Sequence, residues 1–479
     1  MRFNGASSNL LDSSSRRYFF VVCTIAFILR LMLFIYITPN APIKYYANPD
    51  AYNYENIALN LVNHRVFSDE LQPPYTPDVR RTPMYPMFLA GVYALSGSSK
   101  MLAVLCQLLI GSLTVGLTYL FARALLVSYQ DALFAALLLA FDPLSIMYTN
   151  MLVTETLFTF FLVAGSAALV GFIRSQRLIW LLISAIMYSG VVLARPIGQF
   201  LPLVLIPLFV FAASSKQRSE ALRKGLLFAL VSLGLISVWV FRNHRVAGIW
   251  AVSNVGEYTL AYYSARNVLE DAEDLNREEA MAQIDAKISA HGHSENLSLA
   301  EVAKRERQVA LSIFGQYPLQ TIEMYLDSML QFLINPGLDN ICAQLSRAGN
   351  VKGCEATKVI SNPSLVEKAQ LKFGKMDNVQ LVVAAWSVFF LFTVYALSSV
   401  GIYVLVKNRQ WFELLSLGII IGYLILLSAG GQTTSRFRVP TIPYWSVLAS
   451  VGFGMLKERF SRGGVSRSGE KSSASEAAS

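Results

Sequence analysis

The chain has 479 residues, of which 54% are hydrophobic and only 15% are charged, and its mean hydropathy is +0.46. Soluble domains contain about 25% charged residues, so this composition excludes an ordinary soluble protein. The formal net charge of +9 accompanies long apolar runs, which makes a nucleic-acid partner a poor interpretation. The composition instead indicates an integral membrane protein of the all-α class.

The first apolar run covers residues 18–38 and is too long for the hydrophobic part of a signal peptide. No small-residue cleavage site follows it, so we expect a retained helix. Arg16 and Arg17 precede the run, which predicts a cytoplasmic N-terminus. Recurring runs near bilayer length predict about ten transmembrane helices in all. Their expected positions are 18–38, 101–122, 131–147, 151–173, 178–194, 197–213, 223–243, 380–406, 411–429 and 439–456.

The links on one side of these helices are short and basic, which places that side in the cytoplasm. The long segments 39–100 and 244–379 then lie outside. This orientation predicts a multi-pass protein, in a bacterial inner membrane, whose functional groups face the periplasm. The expected organisation is a cytoplasmic N-terminus (1–17), a transmembrane module holding the functional site and the first outer loop (18–243), a large outer loop (244–379), three C-terminal helices (380–457) and a disordered tail (458–479).

The two outer segments contain predicted helices of their own. Residues 50–63 place apolar side chains at helical spacing with Asn and Glu opposite, which is typical of a helix in the membrane interface. A second such helix is expected at 83–95. The large outer loop has helical patterns near 296–315 and 318–334, so we expect it to be mainly helical.

Asp50 opens the first interfacial helix and puts a carboxylate at the outer membrane surface. A carboxylate there could act as a general base toward an acceptor hydroxyl. The alternative is a helix N-cap, for which aspartate is also preferred. Asn53 stands where a full capping box would have Glu or Gln.

Two further charged residues need an explanation from their position. Arg81 lies outside, against the charge bias, and arginine suits forked hydrogen bonds to phosphate; a lipid headgroup contact or a pair with Asp78 is the alternative. Glu155 lies within a predicted membrane helix, where ionisable groups are costly and mark function. Its alternative role is a structural ion pair with Arg30 or Arg195.

More arginines fall at the same outer level. Arg242 ends the seventh predicted helix, and Arg436 and Arg438 open the tenth. Several cations from distant parts of the chain indicate one anionic ligand at that level. Arg436 and Arg438 would point the same way only if their segment is extended.

The remaining candidates come from cysteine and histidine. Cys342 and Cys354 lie in one polar outer segment and could close a short disulfide loop in an oxidising compartment, or stay as free thiols. His291 and His293 have a spacing seen in metal sites, but their polar flanks favour an exposed loop. We predict no metal site, and no cofactor is certain; a divalent metal is possible without being indicated.

Taken in order, six segments resemble the GT-C glycosyltransferases of the dolichyl-phosphate-mannose–protein mannosyltransferase type, a group that includes the aminoarabinose transferase of lipid A. Each match is weak alone, and the ordered series is fairly specific. The segments are residues 49–58, 81–90, 142–158, 194–196, 239–243 and 436–440.

The resemblance implies a polyprenyl-phosphate-linked sugar as donor and transfer, with inversion, to a hydroxyl on the non-cytoplasmic face. By likeness, Asp50 is the base, Glu155 a second acid, and Arg81 and Arg242 hold the donor phosphate. Relatives often have Glu directly after the first acid; Ala51 stands here, which weakens a case for metal. Further expected donor-phosphate ligands are Arg195, Arg436 and Arg438, and the expected substrate-pocket residues are Tyr54, Tyr85 and Asn243.

The acceptor stays open among lipid, glycan and protein, and membrane lipids are the other expected partners. Two alternatives belong to other classes of protein. A lipid-linked-sugar transporter would have polar groups near mid-bilayer and paired, broken helices. An O-antigen ligase or polymerase would depend on His and Arg in the large loop, where His291 and His293 are its best support.

Overall fold

A computed structural model of the chain describes residues 12–38, 50–126, 128–289, 298–345, 376, 378–430 and 433–476. Within these ranges the protein is helical and contains no β-strand. Its α-helices, numbered in chain order, are α1 (Ser13–Ile37), α2 (Asp50–His64), α3 (Met84–Ser96), α4 (Lys100–Leu126), α5 (Tyr129–Ala140), α6 (Pro143–Thr149), α7 (Glu155–Ser175), α8 (Leu178–Ala194), α9 (Leu201–Val204), α10 (Ile206–Ala212), α11 (Arg218–Ala247), α12 (Val255–Thr259), α13 (Arg266–Ala272), α14 (Arg277–Ser289), α15 (Leu299–Gln316), α16 (Pro318–Ile334), α17 (Leu338–Leu345), α18 (Asn378–Lys407), α19 (Trp411–Ser428) and α20 (Ile442–Glu476).

Seven helical spans in the described ranges are long and apolar enough to cross a bilayer, and α5 with α6 makes an eighth if that bent pair counts as one span. Each of the ten predicted segments coincides with apolar helix. The count of ten is not reached, because α8 and the pair α9–α10 are shorter apolar helices. The long spans are α1, α4, α7, α11, α18, α19 and the stretch Ser435–Arg459.

Two breaks in the bundle follow from proline. Asp142 caps α6 by accepting a hydrogen bond of 2.9 Å from the Ser145 amide, and Pro143 occupies the first helical turn. The predicted helix 131–147 is therefore bent, by 57°. Arg195, before Pro196, has the extended backbone that a following proline favours, with φ −149° and ψ 131°.

The C-terminal helices pack at very short range through glycine. A Cβ on Gly401 of α18 would lie 2.0 Å from the Leu448 carbonyl oxygen, and one on Gly452 of α20 would lie 2.0 Å from that of Leu397. Only glycine fits such close backbone contact. Helix α20 continues to Glu476, into the segment 458–479 that the composition predicted to be disordered.

The described part of segment 244–379 contains a helical unit that contacts segment 39–100. Its core includes Ala265, Ile284 and Ile313, and α15 begins at a full capping box made by Ser298 and Glu301. The helices predicted near 296–315 and 318–334 are confirmed as α15 and α16, and those at 50–63 and 83–95 as α2 and α3.

At one end of the bundle, polar side chains at the helix ends contact each other. The Arg123 guanidinium lies 3.7 Å from the centroid of the Tyr129 ring, and Lys457 donates to Gln130 at 2.6 Å. Residues from the helix ends at 123–129 and 457 therefore meet at one level.

Candidate active site

Five charged residues from five separate positions in the chain form one continuous network. Asp50 begins α2, Arg81 precedes α3, Glu155 begins α7, Arg195 follows α8, and Arg436 lies in the 3₁₀ turn Ser435–Thr441 before α20. In order of contact the network runs Arg81–Asp50–Arg436–Glu155–Arg195. The structure thus brings together five of the residues that the sequence singled out.

Arg436 is the bridge between the two acids. Its Nη1 donates to Asp50 Oδ2 at 2.6 Å, while its Nε donates to Glu155 Oε1. Arg195 Nη1 donates to the same Glu155 oxygen at 2.6 Å. The Glu155 side chain is fully buried, so its charge depends on these two guanidiniums.

Glu155 is the first residue of α7 rather than a residue one turn into a helix beginning at 151. Residues 151–154 are irregular, because α6 has ended and α7 has not yet begun. The position at a helix N-terminus adds the favourable end of the helix dipole to the carboxylate. Of the two candidate partners, Arg195 makes the direct ion pair.

Asp50 is the more accessible acid, with 32% of its side chain exposed. Its other carboxylate oxygen, Oδ1, accepts from Arg81 Nη2 at 2.9 Å. Burial alone would raise the pKa of Asp50, but Arg436 and Arg81 outweigh it and lower that pKa to about 2. Asp50 is therefore ionised at any physiological pH.

Arg81 is held by several neighbours besides Asp50. Its Nη2 also donates to Asn53 Oδ1 at 3.0 Å, and its guanidinium lies 5.2 Å from the centroid of the Tyr54 ring. Asn53 in turn donates to Asp69 Oδ2 at 2.9 Å. The predicted pair with Asp78 takes another form, because that carboxylate accepts from the Arg81 backbone amide at 2.7 Å.

Sequence reasoning missed Asn53 and Asp69 as members of this network. In the sequence, Asn53 stands out only because it occupies the position where a full capping box would have Glu or Gln. The available signal was its spacing of three residues from Asp50, which puts both side chains on one face of α2. Asp69 gave no local signal, because it lies in an irregular loop.

Arg438 points away from Arg436, contrary to a shared role in one anion site. The segment is a 3₁₀ turn rather than extended, so residues two apart face different sides. Arg438 Nη1 donates to the carbonyls of Phe332, Leu333 and Asn335 at 3.1, 3.2 and 2.7 Å. Its charge stabilises the C-terminal end of α16.

Arg242 and Asn243 lie outside the ion-pair network. Arg242 Nη1 donates to the Asp78 carbonyl at 2.5 Å, and Asn243 Nδ2 donates to the carbonyls of Ala251 and Val252, each at 3.0 Å. Asn243 is fully buried. Both side chains therefore donate hydrogen bonds to backbone carbonyls near the ion-pair network. Asn243 does not line a pocket beside that network.

The two tyrosines differ in position. Tyr54 contacts Arg81 and packs edge-on against Tyr85 with ring centroids 5.1 Å apart. Tyr85 is fully buried, and its hydroxyl donates to Gln107 Oε1 at 2.6 Å. Tyr54 adjoins the network, whereas Tyr85 supports it from within the bundle.

Some candidates fall outside the described residues. His291, His293 and Cys354 are not described, nor is the side chain of Cys342, so the disulfide stays a prediction. Among the described residues, no three His, Cys, Asp or Glu side chains gather where they could hold a metal ion.

The fold is similar to that of several solved structures. The archaeal oligosaccharyltransferase AglB from Archaeoglobus fulgidus, in complex with an inhibitory peptide and a dolichol-phosphate, aligns with a TM-score of 0.53 and 14% identity over 94% of this chain. Its apo form gives 0.50 and 15% over 92% of this chain. The chain spans about half the length of these relatives, 51% in each case. ArnT from Cupriavidus metallidurans bound to undecaprenyl phosphate aligns at 0.38 and 12% over 90% of this chain and 76% of its own.

The protein is thus a polytopic membrane protein with the GT-C fold, and the resemblance drawn from its sequence is confirmed. Residues 80–241 match the family of dolichyl-phosphate-mannose–protein mannosyltransferases. That stretch, about a third of the chain, contains Arg81, Glu155 and Arg195, while Asp50 and Arg436 lie outside it. No curated protein matches the sequence.

Proposed function

We propose that this protein is an inverting glycosyltransferase that moves a sugar from a polyprenyl-phosphate donor to an acceptor hydroxyl on the non-cytoplasmic face. The observation that carries the proposal is the ion-pair chain in which Arg436 joins Asp50 to Glu155. It sets an accessible carboxylate beside guanidiniums at one end of a membrane bundle. The GT-C fold and the match to a mannosyltransferase family support the same activity.

The donor phosphate is expected to compete with Asp50 for guanidinium hydrogen bonds. Arg81 and Arg436 each give Asp50 one short bond, and the singly charged phosphodiester of the donor also accepts forked bonds from arginine. When the phosphate takes over part of those bonds, the carboxylate loses stabilisation of its charged form, and it becomes a stronger base.

The chemical step then needs few parts. The acceptor oxygen attacks the anomeric carbon from the side opposite the phosphate, its proton passes to Asp50, and the bond from the anomeric carbon to the phosphate oxygen breaks. Negative charge grows on the departing lipid phosphate, where fixed guanidiniums stabilise it. Glu155 contributes by keeping Arg436 and Arg195 in position.

The donor class follows from the relatives rather than from a pocket in this chain. The aligned AglB structure contains a dolichol-phosphate and a peptide, and the ArnT structure contains undecaprenyl phosphate. We propose a lipid phosphate of this type here, with the acceptor a lipid, a glycan or a protein. The links between helices at the end of the bundle away from the network are short and basic. This charge bias favours a bacterial inner membrane with the site facing the periplasm.

A lipid-linked-sugar transporter is the second candidate class. Its expected signature, polar groups in paired broken helices at mid-bilayer, fits less well than a charged network at one end of the bundle. The ligase alternative depended on His291 and His293, which are not described.

The proposal is tested with purified, folded Asp50→Asn and Glu155→Gln variants and a polyprenyl-phosphate sugar donor carrying a radiolabel. Loss of the base should reduce turnover by about 10²–10⁴-fold. Asp271→Asn, at an exposed outer position, is the matched control and should keep wild-type turnover.

Near-normal turnover by Asp50→Asn would remove the base assignment. If neither wild type nor the variants transfer sugar, but the protein moves the labelled lipid across liposome membranes, the transporter hypothesis is correct.

If wild type does transfer sugar, mass spectrometry of surface glycans from a deletion strain would identify the sugar and the acceptor.

A further inference from the structure

A small cavity lies beside Glu155, lined by residues of α1, α4, α5, α6, α7 and the 3₁₀ turn Ser435–Thr441. Its volume is about 20 Å³, which is enough for one water molecule. Hydroxyl-bearing residues line much of it, and two charged residues, Arg30 and Glu155, face it from different helices. The hydroxyl-bearing lining residues are Thr114, Ser145, Tyr148, Thr149, Thr156 and Thr159.

Both charged residues bring an unsatisfied polar atom to this region. Glu155 Oε1 accepts from Arg195 and Arg436, but the buried Oε2 has no hydrogen-bond partner among the described residues. Arg30 is 2% exposed, and its Nη1 donates to the Ala26 carbonyl at 3.1 Å. Its buried Nε likewise lacks a partner in the described part of the chain.

Unsatisfied buried groups of this kind are costly, and a charged one is more costly than a neutral one. A polar cavity with room for water and two to four polar partners is where a buried water is stable. Here the donor, the acceptor and several hydroxyls are already gathered around such a space.

Gly111 creates the room that Arg30 needs. A Cβ at this position would lie 3.0 Å from Arg30 Nε and 3.1 Å from Thr149 Cγ2 and Oγ1. Alanine there would press on the guanidinium and on the cavity wall. The glycine on α4 and the arginine on α1 therefore fit together as one feature of the bundle.

We infer that the cavity is a water site through which Arg30 is coupled to Glu155, and that Arg30 is a positioning residue for the active site. Arg195 and Arg436 fix the carboxylate from the outer side, and the water-linked Arg30 fixes it from within the bundle. The consequence for sugar transfer rests on the proposed function, but the coupling itself does not.

A double-mutant cycle on thermal unfolding tests the coupling without any activity assay. Arg30→Met keeps the length of the side chain and removes its charge, and Glu155→Gln removes the partner charge. We expect each single variant to lower the melting temperature by roughly 5 °C or more. The double variant should lose clearly less than the sum. Additive losses would overturn the inference.

Two further comparisons separate charge from packing. Arg30→Lys should recover most of the stability and turnover that Arg30→Met loses, because it keeps the cation; equal behaviour of the two variants would indicate a packing role only and contradict the inference. Gly111→Ala should resemble Arg30→Met, whereas Gly418→Ala, where an added Cβ meets nothing within 4 Å, should not. High-resolution density without a water in the cavity would also count against it.

Discussion

Arg242 donates a hydrogen bond of 2.5 Å to the backbone carbonyl of Asp78, 164 positions earlier in the chain. The same guanidinium lies 5.1 Å from the centroid of the Phe67 ring. These contacts fasten both ends of the loop that leads from α2 to Arg81. Arg242, which the sequence suggests as a phosphate ligand, is thus hydrogen-bonded to the segment that carries Arg81, a second candidate phosphate ligand.

We predict that Arg242→Ala weakens donor binding through Arg81 rather than by removing a direct contact. The lost hydrogen bonds to a charged donor are worth about 1.5–3 kcal/mol, so the loop should loosen. The KM for the lipid-phosphate donor should rise by about tenfold or more. Arg245→Ala, on the exposed side of the same helix end, is the control. If Arg242→Ala and Arg81→Ala together cost the product of their separate effects, the two residues act independently and this prediction is wrong.

Arg436 should not tolerate lysine. Its Nε and Nη1 serve Glu155 and Asp50 at once, and an ammonium group cannot reproduce that fork. We expect Arg436→Lys to lower turnover by about 10²-fold or more. Arg438→Lys in the same 3₁₀ turn should lower the melting temperature while the folded enzyme retains turnover. Equal turnover losses for the two folded variants would contradict a role that is specific to Arg436.

Asp50 gives a prediction for pH. Its pKa is lowered to about 2, after the guanidiniums outweigh burial, from about 3.9 in an unfolded chain. Because the pKa of Asp50 is lower in the folded state, its ionised form stabilises the fold at any pH above the pKa of the unfolded state. That stability is lost as the pH falls toward the pKa of the folded state. The melting-temperature difference between wild type and Asp50→Asn should therefore stay constant from about pH 5 to 8 and shrink below about pH 4. A difference that changes between pH 5 and 8 would mean that Asp50 titrates there.

The sequence predicted the helices well because the length of an apolar run is a local property. All ten expected segments are helical, and the outer helices α2, α3, α15 and α16 are confirmed. The positions at which helices bend, end or begin were harder to predict. The bend at Asp142 and the late start of α7 at Glu155 depend on how α6 fits between its neighbours, which no local pattern encodes.

The level of the site was also predictable, but the pairings within it were not. Arg30 and Arg195 were equal candidates for Glu155, and only the packing of α8 against α7 distinguishes them. Arg436 and Arg438 diverge because their segment is a 3₁₀ turn, a choice that tertiary contacts make. The sequence suggested Asn243 as a pocket residue, but its side chain donates hydrogen bonds to backbone carbonyls that follow α11.

Glu306 should make the outer helical unit sensitive to pH. This residue of α15 is only 5% exposed, and burial raises its pKa to about 7, with Arg80 opposing the shift and Glu257 adding to it. Arg80 lies over the Tyr258 ring at 4.5 Å, next to Arg81 in sequence. Because the pKa is raised on folding, the stability that Glu306 contributes is full below about pH 4.3, the unfolded value, and is lost as pH rises through about 7.

We therefore predict that wild-type protein loses melting temperature between about pH 5 and 7, and that Glu306→Gln, which mimics the protonated acid, largely removes this slope. Glu278→Gln, at an exposed position of α14, serves as the control and should keep the wild-type slope. The measurement is a thermal scan at each pH in one buffer system and detergent. Parallel curves for wild type and Glu306→Gln would contradict the prediction, because the charge on Glu306 would then not change with folding in this range.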